Sequence, residues 1–555
     1  MADTSGTTGT PAWAETYDYI VVGAGSAGCV LANRLSADLS VSVALVEAGG
    51  RDSNIWIHIP AGYYKNILNP AITWQFGSGP EPHIGGRIVN WPRGRVLGGT
   101  SAINGLLYVR GQAEDYDHWR QLGNAGWSFA DVLPYFKRSE RQERGGDALH
   151  GGDGPLGVSD VHMDNPLCEA FIKSAVAEGI PFTRDFNGPE QEGVGYYQLT
   201  TWKGRRSTTA VSYLKPVMAR KNLSILADTM THRVVLEGRR AVGIEVSLRG
   251  QRRAIRARRE VILAAGAVGS PQLMQVSGIG PRGVLEKAGV PVAHALEGVG
   301  RNLQDHYQAR MVYEMRGAGS LNEVWHSTLK QMQVGLEYIT RRRGLLTIGA
   351  GVVGAFVKSH PDLATPDVQF HFMPLSGEGP GKGLHKFPGV IVSVCQLRPE
   401  SRGTIEITSP DSVLPPRIVS NYLAAEIDRR VLLDAMKLAR RIVARPPFAD
   451  ITVREVVPGN KTQSDDELMQ FAREAGTTIF HPCGTAKMGR DPMAVVDERL
   501  AVSGIAGLRV ADASIMPTMT SGNTNAPAIM IGEKASDMIL EDHKTGRTAA
   551  ALSAA

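Results

Sequence analysis

The sequence predicts a mixed α/β fold, α+β overall, in which a parallel-sheet domain is interleaved with a second domain built on an antiparallel sheet. The chain opens with a strand–turn–helix–strand pattern over residues 17–50. Apolar strands of the same kind recur at residues 260–265 and 508–511, so one sheet is assembled from distant segments. Residues 312–474 instead contain partly alternating strands, which predict an antiparallel sheet with one solvated face.

Residues 17–50 form the most informative segment. The β-branched run at residues 19–22 predicts a buried strand, and three glycines between residues 23 and 28 complete the pattern G-x-G-x-x-G. A helix over residues 26–36 would point its N-terminus at a phosphate. A second strand ends at Glu47, 19 residues after the last glycine, where a carboxylate can bond a ribose hydroxyl. This context predicts a Rossmann-like dinucleotide site but leaves NAD and FAD open.

Composition excludes several classes of protein. The 555 residues carry a net charge of only +5 and short, scattered basic runs, so no nucleic-acid partner is predicted. No apolar run reaches the roughly 18 residues of a transmembrane helix. The four dispersed cysteines indicate a reducing compartment and predict no disulfide framework and no metal site. We expect a cytoplasmic protein, with peripheral membrane association left open, and disordered tails at residues 1–14 and 544–555.

Three later segments also carry chemistry. Residues 94–104 combine paired glycines with hydroxyl side chains, and residues 266–280 follow a nucleotide-type strand, with Ser270–Pro271 as the predicted helix start. Each of these two segments is equally well explained as an ordinary connection. His481 lies in a glycine-containing segment, and a neutral histidine can accept a proton from a hydroxyl. An asparagine amide from residues 521–525 can hold the same oxygen.

Together these motifs resemble the glucose–methanol–choline (GMC) family of flavoprotein oxidoreductases, from about residue 17 to residue 540. Within that family the sequence is most similar to choline dehydrogenase and bacterial alcohol dehydrogenases. The resemblance rests on the dinucleotide turn, the signatures at 94–111 and 266–280, His150–Gly151 with Gly154–Leu156, the His481 segment and residues 512–527. It implies an FAD-binding domain of residues 15–160, 215–311 and 475–542, and a substrate-binding cap domain of residues 161–214 and 312–474.

The resemblance implies FAD rather than NAD as the cofactor. Some family members attach FAD covalently through a histidine, but the matching position here is Ile103, so non-covalent FAD is expected. The glycine turn and Glu47 should hold the ADP half, Val234 the adenine side, and Asn525 with Pro527 the isoalloxazine. The full implied set is Gly23, Gly25, Ser26, Ala27, Gly28, Glu47, Ala48, Gly99, Ser101, Asn104, Gly105, Val234, Ala265, Gly266, Asp512, Ala513, Asn523, Asn525 and Pro527.

The implied reaction is FAD-dependent oxidation of a primary alcohol to an aldehyde by hydride transfer to flavin N5. His481 is the expected base and Asn523 positions the hydroxyl oxygen, with Asn525 as the alternative. A dehydrogenase is favoured over an oxidase, and the electron acceptor is a quinone, a dye, a carrier protein or oxygen.

Three alternatives stay open: an FAD-dependent lyase, a light-driven decarboxylase and a non-catalytic flavin-binding protein. The sequence identifies neither the alcohol nor the oligomeric state. Tyr63, Trp74 and Phe480 are candidates for the walls of the substrate pocket, or they serve only in packing.

Overall fold

A computed structural model describes residues 13–317, 319–379 and 381–546. Two seven-stranded sheets dominate this part of the chain. Their strands are β1 (Trp13–Val22), β2 (Val43–Val46), β3 (Gly193–Tyr196), β4 (Leu223–Leu226), β5 (Thr229–Glu237), β6 (Arg240–Leu248), β7 (Gln251–Leu263), β8 (Tyr307–Met315), β9 (Val353–Val357), β10 (Val368–Met373), β11 (Gly389–Gln396), β12 (Thr452–Val457), β13 (Thr477–Thr478) and β14 (Leu508–Val510).

Helices pack around both sheets. They are α1 (Ser26–Leu35), α2 (Ile55–His58), α3 (Tyr63–Asn66), α4 (Ala113–Gln121), α5 (Phe129–Ser139), α6 (Pro166–Ala177), α7 (Gly266–Val276), α8 (Arg282–Lys287), α9 (Asn322–Trp325), α10 (Thr328–Arg341), α11 (Glu426–Val443), α12 (Phe448–Ile451), α13 (Asp465–Ala475) and α14 (Asn525–Lys544). Small two-stranded pairs join Thr73–Gly77 to Asn90–Gly94, Glu140–Gln142 to Leu156–Val158, Thr201–Trp202 to Arg205–Arg206, Ile279–Gly280 to His294–Ala295, and Thr404–Glu406 to Arg417–Val419.

The first sheet has the order β4-β2-β1-β7-β6-β5, with β14 paired to β7. The strands β4, β2, β1, β7 and β14 are parallel, and β5, β6 and β7 form an antiparallel meander. Its central strands are apolar because both faces are covered; Ile20 and Val21, for example, have no exposed surface. The predicted assembly of one parallel sheet from distant chain segments, in a mixed α/β fold, is confirmed.

The second sheet is antiparallel throughout, in the order β12-β8-β11-β10-β9-β3, with β13 paired to β8. The prediction that one face is solvated is wrong, because every residue of β10 is buried. Helix α11 covers one face. The alternation in the sequence arises instead from polar side chains that face an internal cavity, such as His371 on β10.

Two local predictions need correction, the extent of the terminal tails and the start of α7. Strand β1 begins at Trp13, so Trp13 and Ala14 are not part of a disordered tail, and Lys544 is the last residue of α14. Most of the two predicted tails, residues 1–12 and 547–555, lies outside the described residues. Helix α7 begins at Gly266 rather than Ser270. Strand β8 crosses the predicted domain junction after residue 311, and the division into domains stays a prediction.

Among the described residues, no helix is both long enough and apolar enough to cross a bilayer.

Candidate active site

A cavity of about 420 Å³ lies between the two sheets. At one end it is lined by Val22 and Glu47, at the ends of the first sheet's parallel strands. At the other end it is lined by His481 and Asn523, opposite polar side chains of the second sheet. This position, at the carboxyl ends of parallel strands, is where open α/β sheets bind their ligands.

The glycine turn is shaped by close backbone contacts. Gly23 has a φ of +101°, which favours glycine, and a Cβ atom on Gly28 would lie 1.8 Å from the Gly23 carbonyl oxygen. These two glycines therefore let α1 approach β1. Gly25 differs, because a Cβ atom added there would lie 3.9 Å from its nearest neighbour and the residue faces the cavity. A Cβ atom on Gly99 would lie only 2.6 Å from the Gly25 Cα, so the 94–104 segment packs against the turn.

Three helices begin at the cavity wall. Helices α1, α7 and α14 each lack a side-chain hydrogen bond at the N-cap and an acidic residue in the first turn. Their first residues, including Ser26, Gly266 and Asn525, line the cavity. Helix N-termini with free N–H groups attract phosphate because the unpaired donors and the helix dipole both favour negative charge. At α7 the Gly266 N–H group already donates to the Asp512 carboxylate, so α1 and α14 are the better phosphate sites. The wall therefore fits a ligand that carries a pyrophosphate.

Glu47 lies at the end of β2, as the sequence predicts. Its carboxylate accepts hydrogen bonds from the backbone N–H groups of Ala24 and Gly49, at 2.9 and 2.8 Å. Burial raises the pKa of Glu47 to about 7, and these two backbone donors oppose the rise. Because each carboxylate oxygen can accept more than one hydrogen bond, Glu47 retains capacity for a ribose hydroxyl.

Asp512 lines the cavity but its oxygens are occupied by protein donors. One oxygen accepts from the Gly266 N–H and the Ser270 hydroxyl, and the other from the N–H and hydroxyl of Ser514. These bonds join β14 to the first turn of α7. They also explain why Ser270 does not cap the helix, since its hydroxyl binds Asp512 instead. Asp512 thus organises the phosphate-facing turn.

His481 is held by three neighbours at the opposite end. Its backbone N–H donates to Asp305, its Nδ1 lies 3.0 Å from Nδ1 of His306, and its Nε2 lies 3.1 Å from the amide nitrogen of Asn523. Burial lowers the pKa of His481 well below its usual range, and His306, His371 and Arg93 lower it further. His481 is therefore neutral near pH 7.

Two hydrogen-bond chains determine which nitrogen of His481 carries the proton. His306 Nε2 lies 2.8 Å from the Leu397 carbonyl oxygen, so it must donate there. Burial lowers the pKa of His306 to about 4, so the ring is neutral and its Nδ1 is an acceptor. His481 must then donate from Nδ1, which leaves the lone pair of the ring on Nε2.

The second chain reaches His481 from Asn523. Gln369 donates to the Asn523 side-chain oxygen at 3.1 Å and to the Tyr197 hydroxyl at 3.0 Å, and Tyr197 donates onward to the Phe370 carbonyl. With its oxygen engaged, Asn523 points its N–H group at His481 Nε2. Both chains therefore present Nε2 as a hydrogen-bond acceptor inside the cavity.

The structure brings most of the predicted residues to this cavity. The residues that line it are Gly23, Gly25, Ser26, Ala27, Glu47, Ala48, Gly99, Asn104, Gly105, Ala265, Gly266, His481, Asp512, Ala513, Asn523 and Asn525. Gly28, Ser101, Val234 and Pro527 are not among the lining residues. Val234 is packed in the core, and Met230 and Thr231 of the same strand line the cavity instead.

Sequence reasoning misses several residues of the site. His306, Gln369 and Arg310 come from strands of the second sheet or their ends, more than 100 residues from His481 along the chain. No spacing pattern connects them with His481. The only available signal is the polar alternation of those strands, which is equally consistent with a solvated face. The predicted wall residues Tyr63, Trp74 and Phe480 all line the cavity.

Comparison with known proteins determines the family. Two family models described as GMC oxidoreductase match residues 17–308 and 399–532. The chain belongs to the GMC oxidoreductase family. It is 42% identical over 530 residues to an oxygen-dependent choline dehydrogenase of Photobacterium profundum, covering 95% of this chain and 93% of that one. It is 41% identical over 528 residues to an alcohol dehydrogenase [acceptor] of Pseudomonas putida, covering 94% and 96%.

Solved structures of GMC oxidoreductases show the same fold. Pyridoxine 4-oxidase from Mesorbium loti superposes with a TM-score of 0.85 at 31% identity, covering 95% of this chain and 99% of that chain. A formate oxidase variant from Aspergillus oryzae superposes with a TM-score of 0.89 at 25% identity, covering 97% and 100%. The resemblance inferred from the sequence is confirmed, and FAD is the cofactor. The chain is an enzyme of a family that acts on alcohols.

Proposed function

We propose that this GMC oxidoreductase oxidises a primary alcohol to an aldehyde, with His481 as the base and Asn523 as the residue that positions the hydroxyl. When bound, FAD would supply the two-electron acceptor, with flavin N5 as the atom that would take the hydride from the carbinol carbon. The neutral His481 accepts the hydroxyl proton at Nε2. The Asn523 amide N–H donates to the same oxygen, which holds the alcohol in one orientation.

One observation carries this proposal: two hydrogen-bond chains leave the lone pair of His481 on Nε2, which lies at the cavity beside the Asn523 amide. A base must present an unprotonated atom within hydrogen-bond reach of the proton that it removes. In the described structure Asn523 occupies that acceptor at 3.1 Å, and a hydroxyl placed between the two side chains would bond to both. A flavin-binding protein without activity would have no need of this arrangement.

The FAD site rests on the phosphate-facing helix ends, Gly25 and Glu47. Those residues would hold the pyrophosphate and the ADP ribose, and Ile103, Asn104 and Gly105 line the same cavity. Ile103 has no nucleophilic atom, so we propose that FAD is bound without a covalent bond. Denaturation in acid should release all flavin into the supernatant; flavin retained on the precipitated protein would overturn this part of the proposal.

The role of His481 is tested by anaerobic mixing of the FAD-loaded enzyme with alcohols while flavin absorbance is followed. His481→Ala should slow flavin reduction by about 100-fold or more, the usual scale of a lost general base. His360→Ala is the matched control, because this side chain is 68% exposed. An unchanged reduction rate in His481→Ala would refute the assignment. Turnover without flavin reduction would indicate a lyase, and turnover only under illumination a decarboxylase.

We further propose that the enzyme is a dehydrogenase rather than an oxidase. The support is the similarity to the alcohol dehydrogenase whose name specifies an acceptor. The reduced enzyme should be reoxidised faster by a quinone or a dye than by oxygen-saturated buffer. Reoxidation by oxygen at the rate of turnover would contradict this.

A further inference from the structure

The second sheet presents a row of polar side chains to the substrate end of the cavity. Arg310 on β8 pairs in register with Ser393 on β11, which pairs in turn with His371 on β10. All three line the cavity. Since residues in register on neighbouring strands lie side by side on one face of a sheet, these side chains form one continuous polar strip. Around it the walls are largely aromatic and aliphatic, including Tyr63 and Trp74.

Arg310 is a cation without a counter-charge. In the described parts of the chain no carboxylate lies within 4.0 Å of it. Its neighbour is the neutral amide of Gln308, whose oxygen can accept from Arg310 Nη2 at 3.0 Å. Burial lowers the pKa of Arg310 and Tyr63 opposes that change. A guanidinium remains charged in proteins, so the positive charge persists.

No carboxylate among the described residues offsets the charge of Arg310. Among the described residues that line the cavity, the acids are Glu47 and Asp512, both at the cofactor end. Asp305 is buried behind His481, where it accepts from Thr478, Tyr422 and the His481 backbone. Glu378 is exposed outside the lining. A second cation, Arg93, also lines this end and donates to the Phe480 carbonyl and the Thr100 hydroxyl. The nearby Asp305 partly offsets the charge of Arg93, which leaves Arg310 as the uncompensated cation.

We propose that Arg310 selects an alcohol that carries a carboxylate and discriminates against quaternary ammonium alcohols such as choline. This inference rests on the proposed alcohol oxidation. The planar guanidinium can bind a carboxylate through two parallel hydrogen bonds. A trimethylammonium group in the same position would face a like charge in a site of low dielectric. The enzyme would therefore differ in substrate from the choline dehydrogenases to which it is similar.

The test compares three alcohols of equal chain length: choline, its uncharged isostere with carbon in place of nitrogen, and a hydroxycarboxylate. Anaerobic flavin reduction is measured with the FAD-loaded wild type, Arg310→Lys, Arg310→Gln and Arg310→Glu. The wild type should favour the hydroxycarboxylate over the neutral alcohol by about 10- to 100-fold in kcat/KM, the scale of a charge-assisted hydrogen bond. Arg310→Lys should keep part of this preference, Arg310→Gln should lose it, and Arg310→Glu should favour choline.

Binding of unreactive analogues separates this inference from the proposed function. A carboxylate and a quaternary ammonium ion that both lack the hydroxyl are titrated while thermal unfolding is followed. The carboxylate alone should raise the Tm of the wild type, and this effect should vanish in Arg310→Gln. Equal kcat/KM for the three alcohols, or a choline preference in the wild type, would overturn the inference and leave alcohol oxidation standing. Flavin reduction by none of the alcohols would instead refute the proposed function.

An independent observation concerns the outer surface of α10. Four apolar side chains on it are largely exposed: Leu329 (63%), Met332 (62%), Leu336 (63%) and Ile339 (70%). Their spacing places them on one face of the helix. Tyr338, the buried residue of the helix, follows Leu336 by two positions and so lies about 200° around the axis, toward the protein. The helix therefore presents its apolar face outward, the reverse of an ordinary surface helix.

The charges around this apolar face are mainly basic. Arg341, Arg342 and Arg343 are exposed at the C-terminal end of α10, and Lys330 lies at its start. Of the nearby acids, Glu323 pairs with Lys330 at 2.9 Å, and Glu337 on α10 lies beside Gly344. An exposed Trp325 precedes the helix and contacts Tyr64, which lines the cavity. The apolar face thus lies beside the cavity wall and has a positive rim.

We propose that α10 is an amphipathic helix that docks this enzyme onto an anionic lipid bilayer. Apolar side chains flanked by arginines and a tryptophan are typical of helices that lie in the membrane interface. A second copy of the same surface would place its basic rim against another basic rim, so a bilayer is the better match for this charge. Docking in this orientation would bring the Tyr64 side of the cavity close to membrane-soluble molecules.

Flotation with vesicles tests this proposal. The FAD-loaded protein should float with vesicles that contain phosphatidylglycerol, and much less with pure phosphatidylcholine. Leu336→Glu should reduce the bound fraction at least about tenfold, because a charge must then enter the apolar layer. Leu39→Glu is the matched control, since Leu39 is 73% exposed on a different part of the surface. The proposal would be overturned if the protein did not float with anionic vesicles, or if the two variants had equal effects. A dimer that dissociates in Leu336→Glu, without flotation, would show that the face binds a second copy instead.

Discussion

The Nδ1 atoms of His306 and His481 lie 3.0 Å apart, and the two rings meet nearly at right angles. A short contact between two histidine nitrogens requires one to donate and the other to accept. The Leu397 carbonyl lies 2.8 Å from His306 Nε2 and accepts a hydrogen bond from the only N–H group of the neutral His306 ring. His306 Nδ1 is therefore the acceptor and His481 Nδ1 the donor. We therefore predict that His306 acts through His481, as a positioning residue that keeps the Nε2 lone pair directed into the cavity.

His306→Phe should lower kcat by about 10- to 100-fold with little change in KM, because His481 would then populate the tautomer that is protonated at Nε2. His306→Gln offers an amide oxygen to His481 and an N–H group to Leu397, so it should restore part of the rate. Steady-state kinetics with FAD content as a check distinguish the two. Equal losses in both variants would indicate a purely structural role for His306.

The pH dependence of flavin reduction should reveal the lowered pKa of His481. Because burial keeps the ring neutral, the base stays functional as the pH falls below the ordinary histidine value of about 6.5. The rate should decline only when the pH passes through the lowered pKa, where protonated His481 can no longer accept a proton. Anaerobic reduction rates across the acid range measure this limb. A limb at or above about pH 6.5, the ordinary value of a free histidine, would contradict the assignment.

Asn523→Ala should lower kcat by about 100- to 1,000-fold, the effect of removing one donor from a reacting oxygen. Asn525→Ala is the informative comparison, because the Asn525 side chain accepts from the Ser26 hydroxyl at 2.7 Å and lies at the start of α14. That variant should change FAD retention more than kcat. A larger kcat loss in Asn525→Ala than in Asn523→Ala would reverse the two assignments.

Gln369→Leu should lower kcat by about tenfold, since Asn523 would lose the donor that fixes its amide orientation. Tyr197→Phe removes the other partner of Gln369 but leaves the bond to Asn523, so its effect on kcat should be smaller. Both variants should retain FAD, measured as the ratio of flavin to protein. Equal kcat values in Gln369→Leu and the wild type would show that Asn523 is oriented by other contacts.

Gly28→Ala should unfold the turn or abolish FAD binding, because the added methyl group would lie 1.8 Å from the Gly23 carbonyl oxygen. Gly25→Ala meets no protein atom closer than 3.9 Å, yet its methyl group enters the cavity. It should therefore keep the Tm of the apoprotein and bind FAD more weakly. Thermal unfolding and FAD titration together measure this contrast. Similar behaviour of the two variants would contradict the different roles of these glycines.

The dinucleotide turn can be predicted from the sequence because its parts are local. The strand, the three glycines, helix α1 and Glu47 all lie within residues 19–47, and each has a backbone or packing requirement that restricts residue type. The sequence also shows helical patterns around residues 327–340 and 424–445, which predict α10 and α11 to within two residues of their observed bounds. The start of α7 escapes prediction because Ser270 is held by Asp512, 242 residues away.

The sequence by itself determined the fold class, the family and the cofactor, and it predicted His481 and Asn523 as the catalytic pair, because each depends on short motifs with narrow chemical requirements. Only the tertiary structure shows the protonation state and the orientation of those side chains. The tautomer of His481 depends on His306 and Leu397, and the orientation of Asn523 depends on Gln369, all brought together by strand pairing across long separations. Likewise, only the fold shows that Arg310 lines the cavity. Local patterns specify which groups are present, whereas pKa, tautomer and charge balance depend on neighbours that only folding supplies.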